Sequence, residues 1–187
     1  MLISELKEDQ LMEWLMSFSC EKDEDIELFL HHKAIEFEKL SKARTYLVLD
    51  YEQLENKEAK LIIYGYISIA LKVLSVPNNI SNRMRKELDG FSAKIHGEQI
   101  NDFVCYLIGQ LSKNSNVKSE GLTGEQLISL ANDVVATSVE AVGGRYIMIE
   151  CHDERKLIEF YKENYFNEIA RIPDASQPMV QMIRKIS

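Results

Sequence analysis

The sequence predicts a mixed α/β or α+β domain, a sheet flanked by helices, and three observations predict it. Apolar residues recur at helical spacing through the N-terminal part. Two long stretches, 61–76 (LIIYGYISIALKVLSV) and 103–111 (FVCYLIGQL), are apolar on both faces, as buried central strands are. A capped amphipathic helix then separates strand-like segments, so strands and helices alternate toward the C-terminus.

Taken in order, Leu11, Trp14, Leu15 and Phe18 mark a first helix. Ile26, Phe29, Leu30, Lys33 and Phe37 mark a second, after the acidic start Asp23-Glu24-Asp25 that complements a helix N-terminus. Residues 45–50 (TYLVLD) are short, β-branched and aromatic, hence a strand. The first long apolar stretch follows. The polar segment 77–100, opened by Pro77-Asn78-Asn79, has room for one short helix on Met84, Leu88 and Phe91. In the second apolar stretch Gly109 marks a bulge or a close backbone approach.

A polar loop, 113–123, leads into the clearest helix. Thr123 and Gln126 form a capping box, and Leu127, Leu130, Ala131, Val134, Ser138, Ala141 and Val142 follow one face until Gly143-Gly144 ends it. Residues 145–151 (RYIMIEC) form a strand, 154–164 a short helix carrying Leu157, Ile158, Phe160 and Tyr161, and 179–186 a last strand.

Composition narrows the function classes. The 187 residues hold 22 Lys+Arg against 30 Asp+Glu, a formal net charge of −8, with 45% hydrophobic and 28% charged residues. That length suits a single domain, 1–187, with an ample core, and the composition excludes a disordered chain. Gly65 and Ser68 interrupt the longest apolar run, so no membrane span is expected. Glu5, Glu8 and Asp9 stand where a signal peptide needs an apolar stretch, so the expected location is cytoplasmic.

The acidic balance argues against a broad nucleic-acid footprint. Arg83, Arg85 and Lys86 form a local basic cluster, as do Lys113 and Lys118; each reads as a phosphate contact or as a solvated face. Cys20, Cys105 and Cys151 lack metal-ligand spacing and read as free thiols of a reduced compartment. His31 and His32 are adjacent and point about 100° apart on a helix, so no metal is expected.

The informative order is strand, Gly-containing loop, capped helix, strand, helix with aromatics. A loop rising into a helix N-terminus aims free N–H groups and the positive dipole end at whatever sits above it. Here the loop is Lys118-Ser119-Glu120-Gly121-Leu122-Thr123-Gly124. An ordinary strand-to-helix turn has the same features.

Residues 101–166 resemble the GNAT acetyltransferase superfamily. In that family a strand runs into a Q/R-x-x-G-x-G/A loop and a helix, then a strand and a short helix ending Y-x-x-x-G-F. The matching parts are 110–114 (QLSKN), the loop, 142–150 (VGGRYIMIE) and 160–166 (FYKENYF). Residues 18–30 and 43–50 are similar to a bacterial subgroup that includes toxins acetylating aminoacyl-tRNA. The sequence departs from the motif at Ser119 and Leu122, while Gly124 keeps register; Tyr165 stands at the Gly of the ending, and Glu154 where an Asn is frequent.

The resemblance implies a GNAT-like mixed, mostly antiparallel central sheet splayed between two strands and flanked by helices. It implies acetyl-CoA as cosubstrate, held by the backbone around Leu111, Ser112 and Lys113 and by Lys118, Ser119, Glu120, Gly121, Leu122, Thr123, Gly124 and Glu125. It implies Tyr161 as general acid toward the departing thiolate. A Phe160-Tyr161 pair is also an ordinary core pair. Glu150, His152 and Asp153 are candidates for a base or are solvated strand-end residues.

The expected activity is N-acetylation of a primary amine in a small molecule, a peptide or protein, or an aminoacyl-tRNA. Net charge disfavours the tRNA. The alternative is a catalytically silent acyl-CoA-binding or protein-interaction module. A homodimer, with 179–186 pairing as an exposed edge strand, is the assembly to test.

Overall fold

The structure, a computed structural model, describes residues 1–5, 8–49, 61–118, 121–172 and 177–186. Its elements are helices α1 (Glu8–Met16), α2 (Glu24–His32) and α3 (Ala34–Lys39), then strands β1 (Arg44–Leu49) and β2 (Ile63–Ser75). Helix α4 (Asn82–Asp89) and the short strands β3 (Lys94–Ile95) and β4 (Glu98–Gln99) follow. Next come β5 (Asp102–Lys113), α5 (Gly124–Val142), β6 (Tyr146–His152), α6 (Arg155–Glu163), β7 (Asn167–Ile172) and β8 (Met179–Lys185). Among the described residues a six-stranded sheet has the order β1-β2-β5-β6-β8-β7, and β3 pairs with β4 alone. The pairs β1/β2, β6/β8 and β7/β8 are antiparallel. Asn114 N–H donates to Tyr64 O and Val76 N–H to Asn101 O, so β2 and β5 are antiparallel too. The mostly antiparallel sheet expected from the sequence is present.

Two compact units divide the chain, Met1–Ala70 with Ile108–Val134, and Leu71–Leu107 with Val135–Ser187. In the first, Leu11, Leu15 and Phe18 of the α1 region and Phe29, Leu30 and Ala34 of α2 and α3 bury against Leu47, Ile63 and Tyr66. The periodic run 26–37 is two helices rather than one, with Lys33, at φ −117°, closing α2 and opening α3. Asp23 caps α2 by accepting Asp25 N–H at 3.0 Å.

In the second unit the core is Leu74, Val76, Leu88, Phe103, Cys105, Tyr146, Met148 and Ile183. The short helix expected between the apolar stretches is α4, capped by Ser81, but its buried residues are Arg85 and Leu88. Met84 is 40% exposed and Phe91, beyond the helix, 86%. Arg85 is fully buried, and its guanidinium donates to Ile100 O, Pro77 O, Asn78 O and Asn101 Oδ1. The Arg83-Arg85-Lys86 cluster is therefore not a shared phosphate site, since its middle member ties together the ends of segment 77–101.

Strand β7 was not expected, because its sequence NEIARI is polar and mostly exposed. Its presence places β8 between β6 and β7, hydrogen-bonded on both sides. Residues 179–183 are thus paired on both sides, so the strand is not the exposed edge that pairing of two copies through it requires.

Candidate active site

The end of β5 and the loop into α5 lie in the first unit. Leu111 and Ser112 are half-buried and Lys113 exposed. Ser112 Oγ donates to Lys113 O at 3.1 Å and lies 3.2 Å from Cys20 Sγ. The next residue, Asn114, is buried and fixes this end. Its Nδ2 donates to Ile63 O at 2.8 Å, and its Oδ1 accepts Ser19 N–H at 3.2 Å and Asn116 N–H at 2.9 Å. Opposite, a Cβ on Gly65 would stand 2.9 Å from Ser112 O and 3.0 Å from Leu122 Cδ2. Gly65 thus allows backbone and loop to approach closely. Sequence reasoning missed both residues, although an isolated Gly inside a strand is a readable sign of close approach.

Lys118 is exposed; Ser119 and Glu120 lie outside the described residues. Gly121, Thr123 and Glu125 are exposed, and Leu122 and Gly124 half-buried. The capping box forms as expected, with Thr123 N–H donating to Gln126 Oε1 at 2.7 Å and Gln126 N–H to Thr123 Oγ1 at 3.2 Å. The Glu125 carboxylate is held below its usual range by its own backbone N–H first, then by the Thr123 hydroxyl, with Lys113 nearby. Donors at the helix start therefore already hold internal oxygens. An open groove of about 410 Å³ runs beside them, lined by Gly121, Leu122, Gln126, Ser129 and Leu130.

Tyr161 lies in the second unit, in the last turn of α6, and is buried. Burial raises its phenol, and the Cys151 thiol adds to the rise, so the hydroxyl keeps its proton across the physiological range. The helix ends in a Schellman motif, with Phe166 N–H donating to Tyr161 O at 3.0 Å and Tyr165 N–H to Lys162 O at 3.0 Å. The rings of Tyr161 and Phe166 meet edge-on at 5.8 Å. Tyr165 takes the left-handed position at φ +67°, where the family ending has glycine, and the residue is 80% exposed.

The candidate bases sit in the same unit. Glu150 is not a solvated strand-end residue, because its Oε2 meets Lys72 Nζ at 2.5 Å and its Oε1 accepts Gln181 Nε2–H at 2.8 Å. Asp153 pairs with Arg171. His152 is half-buried at the end of β6.

No protein-family model matches the sequence, and no curated protein matches it. Solved structures do. A tyrosine-to-phenylalanine variant of KacT aligns over 92% of this chain and 87% of its own, at 16% identity and a TM-score of 0.65. AtaTR bound with acetyl-CoA aligns over 92% of this chain and 86% of its own, at 19% identity and a TM-score of 0.65. The chain has the GNAT fold. AtaT complexed with acetyl-methionyl-tRNAfMet shares it at 18% identity and a TM-score of 0.62, over 89% of this chain and 85% of that one. Within the GNAT fold, the strand, loop, helix, strand, helix order seen in the sequence is β5, 114–123, α5, β6 and α6.

Proposed function

We propose that the chain is an acetyl-CoA-dependent N-acetyltransferase of one domain that moves the acetyl group directly to a primary amine. The observation that carries this reading is the fold, shared over about nine-tenths of the chain with AtaTR bound with acetyl-CoA. The N–H groups from Gly121 to Glu125 and the dipole of α5 suit a pyrophosphate, with Lys113 and Lys118 as nearby cations. Lys118, Ser119 and Glu120 complete that loop in the proposal. Backbone groups of Leu111, Ser112 and Lys113 hold the pantetheine arm and polarise the thioester carbonyl.

The amine arrives neutral and forms the N–C bond as the C–S bond breaks. Tyr161, kept protonated by burial but made a weaker acid by it, passes its proton to the departing sulfur, and its phenolate is reprotonated through water by the proton that the amine nitrogen loses. Glu150 and Asp153 already hold cations, which leaves His152 or water to take the proton that the amine nitrogen loses.

The acceptor is a primary amine of a small molecule, a peptide or protein, or an aminoacyl-tRNA. AtaT has been complexed with acetyl-methionyl-tRNAfMet. The net charge of −8 and the burial of Arg85 weigh against a large phosphate footprint on this chain. Salt dependence separates the acceptors, because phosphate contacts steepen it and a small amine does not.

Calorimetric titration with acetyl-CoA, compared with free CoA, tests the reading first. Micromolar affinity, about −8 kcal/mol, is expected, and Tyr161→Phe should lower turnover while sparing that affinity. One observation favours a second reading, a catalytically silent module: two donors at the α5 start, Thr123 N–H and Gln126 N–H, already hold internal oxygens. An acyl-CoA-binding module would bind without turnover and ignore Tyr161→Phe. Binding of neither ligand would sink the transferase and leave a protein-interaction module.

A further inference from the structure

We infer that Arg184 is a positioning residue for Tyr161. The inference rests on the acetyltransferase reading above and names a residue that the family motif does not contain. Arg184 lies near the end of β8, an interior strand whose register with β6 runs unbroken from Tyr146↔Lys185 to His152↔Met179. Such a strand is a rigid base for a side chain.

From there the guanidinium makes two contacts with the end of α6. Its Nη1 donates to Asn164 O at 3.2 Å, and its central carbon stands 4.8 Å over the Phe166 ring. Asn164 is the C-cap of α6, and its Nδ2 donates back to Phe160 O at 2.9 Å. Phe166 is the closing residue of the Schellman motif, and both its backbone and its ring contact Tyr161. Two routes therefore lead from Arg184 to the phenol, one through the cap and one through the ring.

The end of α6 needs such support. Tyr165 holds a left-handed conformation at φ +67° that a glycine would take without cost. A helix end strained at that residue frays unless its neighbours are held. Arg184 holds the residue before it and the residue after it. The guanidinium does this better than an ammonium would, since its plane covers a ring while one edge donates. Tyr161 sits a single turn inside this end, so release of the cap tilts the phenol away from its working position. Small displacements of a catalytic group cost up to about 100-fold in rate.

The test is a double-mutant cycle with Arg184→Met, Arg184→Lys and Tyr161→Phe, with acetyl-CoA affinity and thermal unfolding measured on each variant. Arg184→Met is expected to lower kcat about tenfold at unchanged acetyl-CoA affinity. Arg184→Lys should recover part of that loss. In the Tyr161→Phe background Arg184→Met should have no further effect on kcat, because no phenol is left to position.

Equal losses in both backgrounds would overturn the inference and leave Arg184 as a stabilising residue only. A folded Arg184→Met protein with unchanged kcat would overturn it as well. Failure of the acetyltransferase reading looks different: Tyr161→Phe itself leaves turnover unaltered, or the parent protein has none.

Discussion

Substituting Tyr165 by glycine and, separately, by alanine isolates the strain at the end of α6. Both variants lose the same exposed ring, so the difference between them reports the backbone alone. At φ +67° an L-residue pays about 1–2 kcal/mol relative to glycine. Glycine in turn costs about 0.5–1 kcal/mol in chain entropy relative to alanine. Taking the middle of each range, the balance leaves Tyr165→Gly more stable than Tyr165→Ala by about 0.75 kcal/mol. For a chain of this length that is about 1–4 °C in Tm. Urea unfolding of the two variants at one pH measures it. At an ordinary helical position the order is reversed, with alanine the more stable. Alanine equal to or above glycine would therefore refute the left-handed cap and the Schellman geometry built on it.

Other outcomes follow from the same structure. Asn114→Ala leaves Ile63 O, Ser19 N–H and Asn116 N–H without their partner and should cost about 2–4 kcal/mol in urea unfolding, with Asn114→Asp in between. Gly65→Ala drives a methyl to 2.9 Å from the Ser112 carbonyl, which is backbone and yields little, so its Tm should fall by the equivalent of about 1–3 kcal/mol. Burial pushes Cys105 and Cys151 up to about 11 from 9.0, so the unfolded chain ionises these thiols first. Stability should hold below about pH 9 and fall between about 9 and 11, by at most about 2–3 kcal/mol per thiol. Cys105→Ala and Cys151→Ala should each flatten that fall in urea unfolding measured across the range.

The legible parts of the fold were those where local chemistry and tertiary environment agree. Thr123 and Gln126 needed only each other to start α5, and Gly143, at φ +79°, needed no neighbour to end it. The two long apolar stretches read as strands because β2 and β5 lie inside the sheet, although one face of each opens to solvent at Leu71, Val73 and Val104. Strand β7 was invisible for the opposite reason: an edge strand with exposed faces carries no apolar period, and its pairing with β8 is a long-range fact. Arg85 misled because a buried arginine held by carbonyls has the same letter as a surface cation. In the candidate site, the motif was enough to nominate Tyr161, whose role is proposed. Asn114 and Arg184 were not reachable in that way, since each acts through partners distant in sequence.

The start of α5 decides between an enzyme and a silent module, and Glu125 is the residue that weighs on it. Thr123 N–H gives its hydrogen bond to the neutral oxygen of Gln126, and a pyrophosphate oxygen would take that place readily because charged acceptors bind N–H groups more strongly. Glu125 is different, because its carboxylate is itself an anion drawn to the same dipole and to its own N–H. A pyrophosphate must displace that carboxylate or bind against its charge. Glu125→Gln removes the charge and keeps the shape, so CoA should bind the variant several-fold more tightly at low salt. The gain should shrink as salt rises and screening shortens the reach of the exposed carboxylate. Calorimetry at two salt concentrations measures both effects. Equal affinity of variant and parent at low salt would mean that the coenzyme does not approach this helix, and the loop would lose its place in the proposed mechanism.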